Sequence, residues 1–278
     1  MNLALLRRKE RNKPGVWILR GPSILFLILI VVIPVLVIFQ DGFKEGFDSF
    51  LYQISLPIAQ HAIVLTVWTS ALMTIINAVM GLITAYVFVR YEFPGKRLLN
   101  AIVDLPLAIP SLVTGIMLVI LYGPQQTLGV FLMERFGLRI VFAPPGIILA
   151  LVFITFPFVV RTIQPVLEEL DQSQERAAAT LGASPWRIFY KVVLPALILP
   201  TLGGSLLSFS RAVGEFSAIV IVAGNIPLRT QTAAVYVFSQ VESENRLGAS
   251  AVSIVLIFIS FSVLLIANSI HKHWGAHR

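Results

Sequence analysis

Long apolar stretches alternate with short polar segments along the 278 residues of the chain. A helix needs roughly 17–25 mainly apolar residues to cross a bilayer. Stretches of that length lie near 22–40, 61–89, 101–123, 141–163, 196–222 and 247–270. The pattern therefore predicts an all-α integral membrane protein with six transmembrane helices.

The composition supports a membrane protein. Only 13% of the residues are charged and 57% are hydrophobic, whereas a soluble domain carries about 25% charged residues. The chain has no cysteine, which excludes disulfides and cysteine-ligated metals. Its net charge of +7 would suggest nucleic acid in a soluble chain. In a membrane chain the position of the charges matters more, and we expect no nucleic-acid partner.

Lysine and arginine positions predict the orientation. Most of the 21 lie before the first apolar stretch, in the loop at 90–97, around 161–191, or in the last residues. The opposite loops hold only Lys44, Arg135, Arg139, Arg229 and Arg246. Because basic loops stay inside, both termini are predicted to be cytoplasmic. The domains expected are a basic N-terminus (1–21), a transmembrane domain (22–270) and a tail (271–278).

The segment 171–195, DQSQERAAATLGASPWRIFYKVVLP, lies between the fourth and fifth apolar stretches; we call it the elbow segment. Asp171 can cap a helix, with Gln174 reaching back as in a capping box. Gly182 supplies a left-handed stop, and Ser184 and Pro185 restart a helix. Two short helices joined by a tight elbow at 181–183 are predicted. Such a rigid cytoplasmic knob is suited to contact a partner protein.

The elbow segment resembles the "EAA" loop of ABC importer permeases, E-A-A-x(3)-G-x(9)-I-x-L-P. Ala177, Ala178, Gly182, Val192, Leu194 and Pro195 are in register with it. Arg176 stands at the glutamate position, one residue after Glu175, and we expect it to turn outward or to pair with an acid. The resemblance implies an ATPase-coupling loop over 164–195. Its implied coupling residues are Glu175, Arg176, Ala177, Ala178, Leu181, Gly182, Ala183, Leu194 and Pro195.

A wider resemblance, from about residue 60 to 270, is to sulfate/thiosulfate ABC permeases of the CysT type. It is carried by FPGKRLLNAIVDLPLAIPSLVTGIMLVILYG (93–123), PFVVRTIQPVLEEL (157–170) and SRAVGEFSAIVIVAGN (210–225). It implies a subunit of an ATP-driven importer in the cytoplasmic (inner) membrane. The implied partners are a cytoplasmic ATPase dimer, a CysW-type second permease and a periplasmic or tethered sulfate-binding protein. The chain lacks G-x(4)-G-K-[ST], so ATP and Mg are expected on the ATPase and no catalytic step here.

Charges within the apolar stretches mark a second candidate site. Arg211 and Glu215 are four residues apart and can pair on one helix face. One interpretation is an anion path, formed by Ser111, Thr114, Ser208, Arg211 and Glu215. The other is a neutralised pair that fixes a helix interface. For Asp104, a helix cap is favoured over contact with the elbow segment.

Three alternatives stay open at this point. Arg229-Thr230-Gln231-Thr232 also resembles molybdate permeases, so a molybdate or tungstate permease is the nearest alternative. A self-sufficient secondary carrier or channel would transport without an ATPase, but no row of acids crosses several apolar stretches. An intramembrane hydrolase lacks a paired His or an Asp-with-Ser constellation.

Overall fold

A computed structural model describes residues 14–275, with side chains from 20 to 266 and at 269. Every regular element in this part of the chain is a helix. The elements are α1 (Pro14–Leu27, a π-helical turn Ile28–Val32, then Ile33–Gly42), α2 (Phe47–Ser55), α3 (Pro57–Arg90), α4 (Lys96–Val103), α5 (Leu105–Ala108), α6 (Ser111–Tyr122), α7 (Thr127–Phe136), α8 (Pro144–Glu169), α9 (Ser173–Thr180), α10 (Pro185–Ile188, then a π-helical turn Phe189–Val193), α11 (Leu194–Val213), α12 (Ser217–Val222), α13 (Ala233–Glu242) and α14 (Arg246–Gly275).

Five helices of the described chain are long and apolar enough to cross a membrane. They are Arg20–Gly42 of α1, α3, α8, the continuous stretch Pro185–Val213 and Arg246–Ile266 of α14. A sixth span exists only if α6 and α7, which are bent by 62° relative to each other, cross together. Five of the six predicted spans are therefore each represented by a long helix. The third is not one helix over 101–123, as the sequence predicted.

Prolines explain why the third stretch is divided. α4 ends at Val103, α5 ends at Ala108, and α6 begins at Ser111. Ile109 is extended, with ψ 127°, as expected for a residue whose successor is a proline. Pro106 and Pro110 lie at these breaks, which produce separate helices and leave the span incomplete without α7.

The predicted fifth span, 196–222, also needs correction. The helix begins at Pro185, before the apolar stretch, and continues through a π-helical turn into α11. It ends at Val213, and residues 214–216 separate it from α12. Pro195 lies just after the π-helical turn, whose altered hydrogen-bond register accommodates its missing N–H within the continuous helix. The second arm of the elbow segment is thus the start of a long helix.

The centre of the fold is α8, which packs between α3 and α11. Val159 of α8 is fully buried there. A Cβ added to Gly81 of α3 would lie 2.7 Å from Val159 Cγ1, and one added to Gly204 of α11 would lie 2.9 Å from Val159 Cα. These glycines let the three helices approach closely, as small residues do in membrane helix packing.

Candidate functional site

The first arm of the elbow segment starts at a hydrogen-bonded turn. The Asp171 carboxylate accepts from the Ser173 backbone N–H at 2.8 Å and from its hydroxyl at 2.6 Å. These two bonds hold the pKa of the Asp171 carboxyl below its usual value. α9 then begins at Ser173, with Gln172 at its N-cap position. Asp171 is the predicted acceptor, but the predicted capping box with Gln174 is not formed among the described residues.

The elbow at 181–183 has the predicted backbone. Gly182 has φ 81°, in the left-handed region. The Ala183 N–H donates to Ala178 O and the Gly182 N–H donates to Ala179 O, each at 3.0 Å. This pair of bonds is a Schellman motif. Ser184 Oγ accepts from the Arg187 N–H at 3.4 Å and restarts the helix. Both the stop and the restart are confirmed.

The tip of the elbow segment exposes large apolar side chains. Leu181 is 88% exposed and Trp186 is 73% exposed. The Trp186 ring stacks on Phe189, with centroids 5.9 Å apart. Arg176 and Ala177 are also exposed, and Arg176 forms no ion pair among the described residues. The outward orientation expected for Arg176 is confirmed, and the tip presents exposed apolar side chains on the same segment.

Glu175 points the other way, toward the membrane domain. Its Oε1 lies 2.6 Å from Nη2 of Arg90, the last residue of α3. The two side chains are 17% and 8% exposed. The sequence reasoning used Arg90 only to predict orientation, because nothing local to residue 90 indicates a partner in the elbow segment. Leu194 and Pro195 lie apart from the tip, in the first turn of α11.

A second ion pair joins α8 to the junction of α4 and α5. Arg161 Nε and Nη2 donate to the two carboxylate oxygens of Asp104 at 2.6 and 2.7 Å. Arg161 also donates to Asn100 Oδ1 at 2.8 Å and to Gln164 Oε1. Asp104 makes no capping hydrogen bond to α5. The predicted cap is therefore wrong, because the carboxylate is taken by a two-pronged guanidinium contact, which is stronger than a neutral bond.

Replacing Asp104 with asparagine separates these two roles. Asparagine caps helices as well as aspartate does, so stability would be unchanged if Asp104 acted only as a cap. Loss of the ion pair should lower the thermal midpoint of the purified chain by a few degrees, about 1 kcal/mol, since Asp104 is 49% exposed. Thermal unfolding in detergent measures this, and an unchanged midpoint would restore the capping role.

The intramembrane pair is present as predicted. Arg211 Nη1 lies 2.7 Å from Glu215 Oε2, with 39% of the arginine side chain and 3% of the glutamate side chain exposed. The other carboxylate oxygen, Glu215 Oε1, accepts from the Ala218 N–H in the first turn of α12 at 3.1 Å. Glu215 therefore neutralises a cation and satisfies a helix N–H at the same time.

The other candidate path residues are only partly brought together. Ser111 Oγ of α6 lies 3.5 Å from Arg211 Nη2, so Ser111 is next to the more exposed residue of the Arg211–Glu215 pair. Ser208 turns away and donates to Thr155 O of α8 at 3.1 Å, fully buried. Thr114 is buried, and its hydroxyl has no partner in the described chain. Ser111 and Arg211 are thus neighbours, and Ser208 belongs to the α8–α11 interface.

The long helices, the broken spans and the charges paired at their ends and within them define a polytopic α-helical membrane protein. The family described as binding-protein-dependent transport system inner membrane component matches residues 77–275. The chain belongs to this family.

Two curated relatives cover most of the chain. The probable sulfate transport system permease protein cysT of Chlorokybus atmophyticus is 40% identical over 247 residues, which are 89% of this chain and 86% of the relative. The sulfate transport system permease protein CysT of Synechocystis sp. is 39% identical over 253 residues, 91% and 88% of the two chains. The resemblance read from the sequence is confirmed.

A solved structure shows the same fold. A chain of a bacterial alginate ABC transporter, in complex with an alginate pentasaccharide-bound periplasmic protein, superposes with a TM-score of 0.78. The alignment covers 93% of this chain and 94% of that chain at 16% identity. The fold is therefore that of a membrane subunit found in ABC transporters.

Proposed function

We propose that this chain is the permease subunit of an ATP-driven ABC importer that carries sulfate or thiosulfate across the cytoplasmic membrane. The observation that carries the proposal is the elbow segment: an exposed apolar tip, set by Gly182, whose second arm continues without a break into α11. A displacement of the tip is a displacement of the transmembrane helix. The names of the relatives favour sulfate as the substrate.

The proposed topology places both termini and the coupling loop 164–195 in the cytoplasm. Excess Lys and Arg around the elbow segment supports this orientation. An even number of crossings is needed for both ends to be inside, so α6 and α7 together supply the third span. Segments 1–13 and 276–278, from the predicted N-terminus and tail, lie outside the described residues.

We propose that a separate ATPase dimer drives transport. The sequence contains no phosphate-binding loop, so ATP and Mg bind to that partner. A CysW-type permease completes the membrane pair, and a periplasmic or tethered sulfate-binding protein delivers the anion. ATP binding closes the ATPase dimer and moves the elbow segments of the two permeases together. A cavity between the two permeases then opens to the outside. Hydrolysis returns it to the inward state.

Arg211 and Ser111 are proposed to line the anion path. The carboxylate of Glu215 balances the charge of Arg211, so the net attraction on a dianion is small. Weak attraction suits a transit route, because an anion held tightly would leave slowly.

Uptake by the reconstituted assembly tests the proposal. Vesicles holding this chain, its permease partner, the ATPase and the binding protein should accumulate labelled sulfate only with ATP. An excess of unlabelled thiosulfate should reduce the uptake more than equal molybdate. Molybdate competing better than sulfate would favour the molybdate alternative. Flux without the ATPase would favour a secondary carrier and contradict the proposal.

A further inference from the structure

The last turn of α3 contacts both arms of the elbow segment. Arg90 pairs with Glu175 in the first turn of α9 at 2.6 Å. One turn earlier, the Tyr86 ring meets Phe189 of the π-helical turn edge-on, with centroids 4.9 Å apart and an interplanar angle of 71°. The elbow segment is therefore attached to α3 as well as to α11, with which its second arm is continuous.

The ion pair between Arg90 and Glu175 is largely buried. Arg90 is 8% exposed, and its Nε is buried without a hydrogen-bond partner. Among the described residues its ion pair is with Glu175 alone. Breaking a buried pair by removing one partner is costly, because the remaining charge is left uncompensated. The first arm is thus held at one orientation relative to α3.

The pair also explains why the acid of the elbow segment is at residue 175 and not at 176, the glutamate position of the EAA pattern. Successive helical residues point about 100° apart. With the acid at Glu175, the carboxylate faces Arg90, and Arg176 faces outward. An acid at residue 176 would be exposed, as Arg176 is now, and would leave Arg90 without a counter-charge. The position of Glu175 therefore serves an internal contact.

α3 also contacts parts of the membrane domain that lie far from the elbow segment. At its middle, Asn77 Nδ2 donates to Thr155 Oγ1 of α8 at 2.9 Å. Near its other end, Thr66 Oγ1 accepts from the Ala233 N–H, at the start of α13, at 2.8 Å. At 1.5 Å per residue, Thr66 and Arg90 are about 36 Å apart. One uninterrupted helix links the elbow segment to the loop before α13.

We propose that Arg90 is a positioning residue for transport: its pair with Glu175 makes α3 move with the elbow segment, alongside α11. This inference rests on the proposed function, because it assigns a second route by which movement of the elbow segment reaches the membrane domain. Arg90 touches neither substrate nor nucleotide in this scheme. It acts through Glu175.

The first test uses the purified full chain alone, so it is independent of transport. Chymotrypsin cleaves after Leu181 and Trp186 when the elbow segment opens locally, and none of the variants below adds or removes a chymotryptic site. Arg90→Ala and Glu175→Gln should each speed this cleavage by about tenfold, because local opening becomes less costly. The exchanged double variant, Arg90→Glu with Glu175→Arg, should return toward the native rate. Arg97→Ala is the matched control, since Arg97 is exposed and forms no ion pair in the described chain. Equal cleavage rates in all variants would overturn the attachment.

The second test measures sulfate transported per ATP hydrolysed in the complete reconstituted complex. Arg90→Ala should keep the ATPase bound, because the tip residues are unchanged, while the ratio falls by about tenfold, the factor that corresponds to about 1.4 kcal/mol. The exchanged variant should recover most of the ratio, and Arg97→Ala should keep it. A native ratio in Arg90→Ala would overturn the positioning role even if cleavage is faster. Uptake by the native complex without ATP would instead contradict the proposed function and leave the cleavage result standing.

Discussion

Replacing Gly182 with valine should abolish most ATP-driven uptake while leaving the amount of protein in the membrane unchanged. A Cβ at residue 182 would meet nothing within 4 Å, so the effect is not a steric clash. The cost comes from φ 81°, which an ordinary side chain adopts at about 1–2 kcal/mol and a β-branched one at more. The backbone should relax to another turn and re-aim Leu181. A decrease of at least about tenfold is expected, as 1.4 kcal/mol corresponds to that factor.

The chain offers a matched control for this strain. Gly137 ends α7 with φ 64° and also has open space around its missing side chain. Gly137→Val should introduce comparable strain outside the elbow segment and preserve uptake. Gly182→Asn should be milder than Gly182→Val, because asparagine tolerates the left-handed region. Membrane protein content is measured by blotting, and uptake with labelled sulfate. Native uptake by Gly182→Val would refute a docking role for the elbow.

Removing the Glu215 side chain should produce the largest loss of stability. Glu215→Ala leaves Arg211 without its counter-charge within a membrane segment and leaves the Ala218 N–H uncapped. Breaking such a pair costs about 3–5 kcal/mol, and the exposure of Arg211 places the expected loss at the lower end. Expression level and thermal midpoint of the purified protein measure it. Glu215→Gln is the matched control, since its amide oxygen can still accept from Ala218 while the charge is lost.

The double variant Arg211→Ala/Glu215→Ala decides between the two roles of the pair. Removing both charges should restore much of the expression lost in Glu215→Ala. If uptake returns as well, the pair is structural and Arg211 is not part of the anion path. If expression returns but uptake does not, one of the two side chains contributes to transport directly. Stability of Glu215→Ala equal to that of the native protein would contradict the energetic role of the pair.

The features predicted correctly from the sequence depend on neighbouring residues. The Gly182 stop, the Ser184 restart and the Arg211–Glu215 pair are each set by residues within about one turn of one another. The Arg90–Glu175 and Arg161–Asp104 pairs join residues 85 and 57 positions apart. Their formation depends on how α3, α5, α8 and α9 pack, and hydrophobic periodicity does not contain that information.

The boundaries of the third and fifth spans were mispredicted for a related reason. Apolar content measures whether a segment prefers lipid, but it does not measure helical continuity. The segment 101–123 is mainly apolar, yet its prolines divide it. The segment 185–195 is partly polar, yet nothing between Ile188 and Leu194 stops a helix, and the chain accommodates Pro195 with a π-helical turn. A sixth crossing requires the bent α6–α7 pair to span the membrane together.

The separation of Arg90 from Glu175 has a consequence for biogenesis. The 85 positions between them take several seconds to synthesise at about 5–20 residues per second. During that interval Arg90 lacks the Glu175 carboxylate with which it pairs in the folded chain. A chain truncated before residue 175 lacks the carboxylate that pairs with Arg90, so its α3 ends in an uncompensated guanidinium.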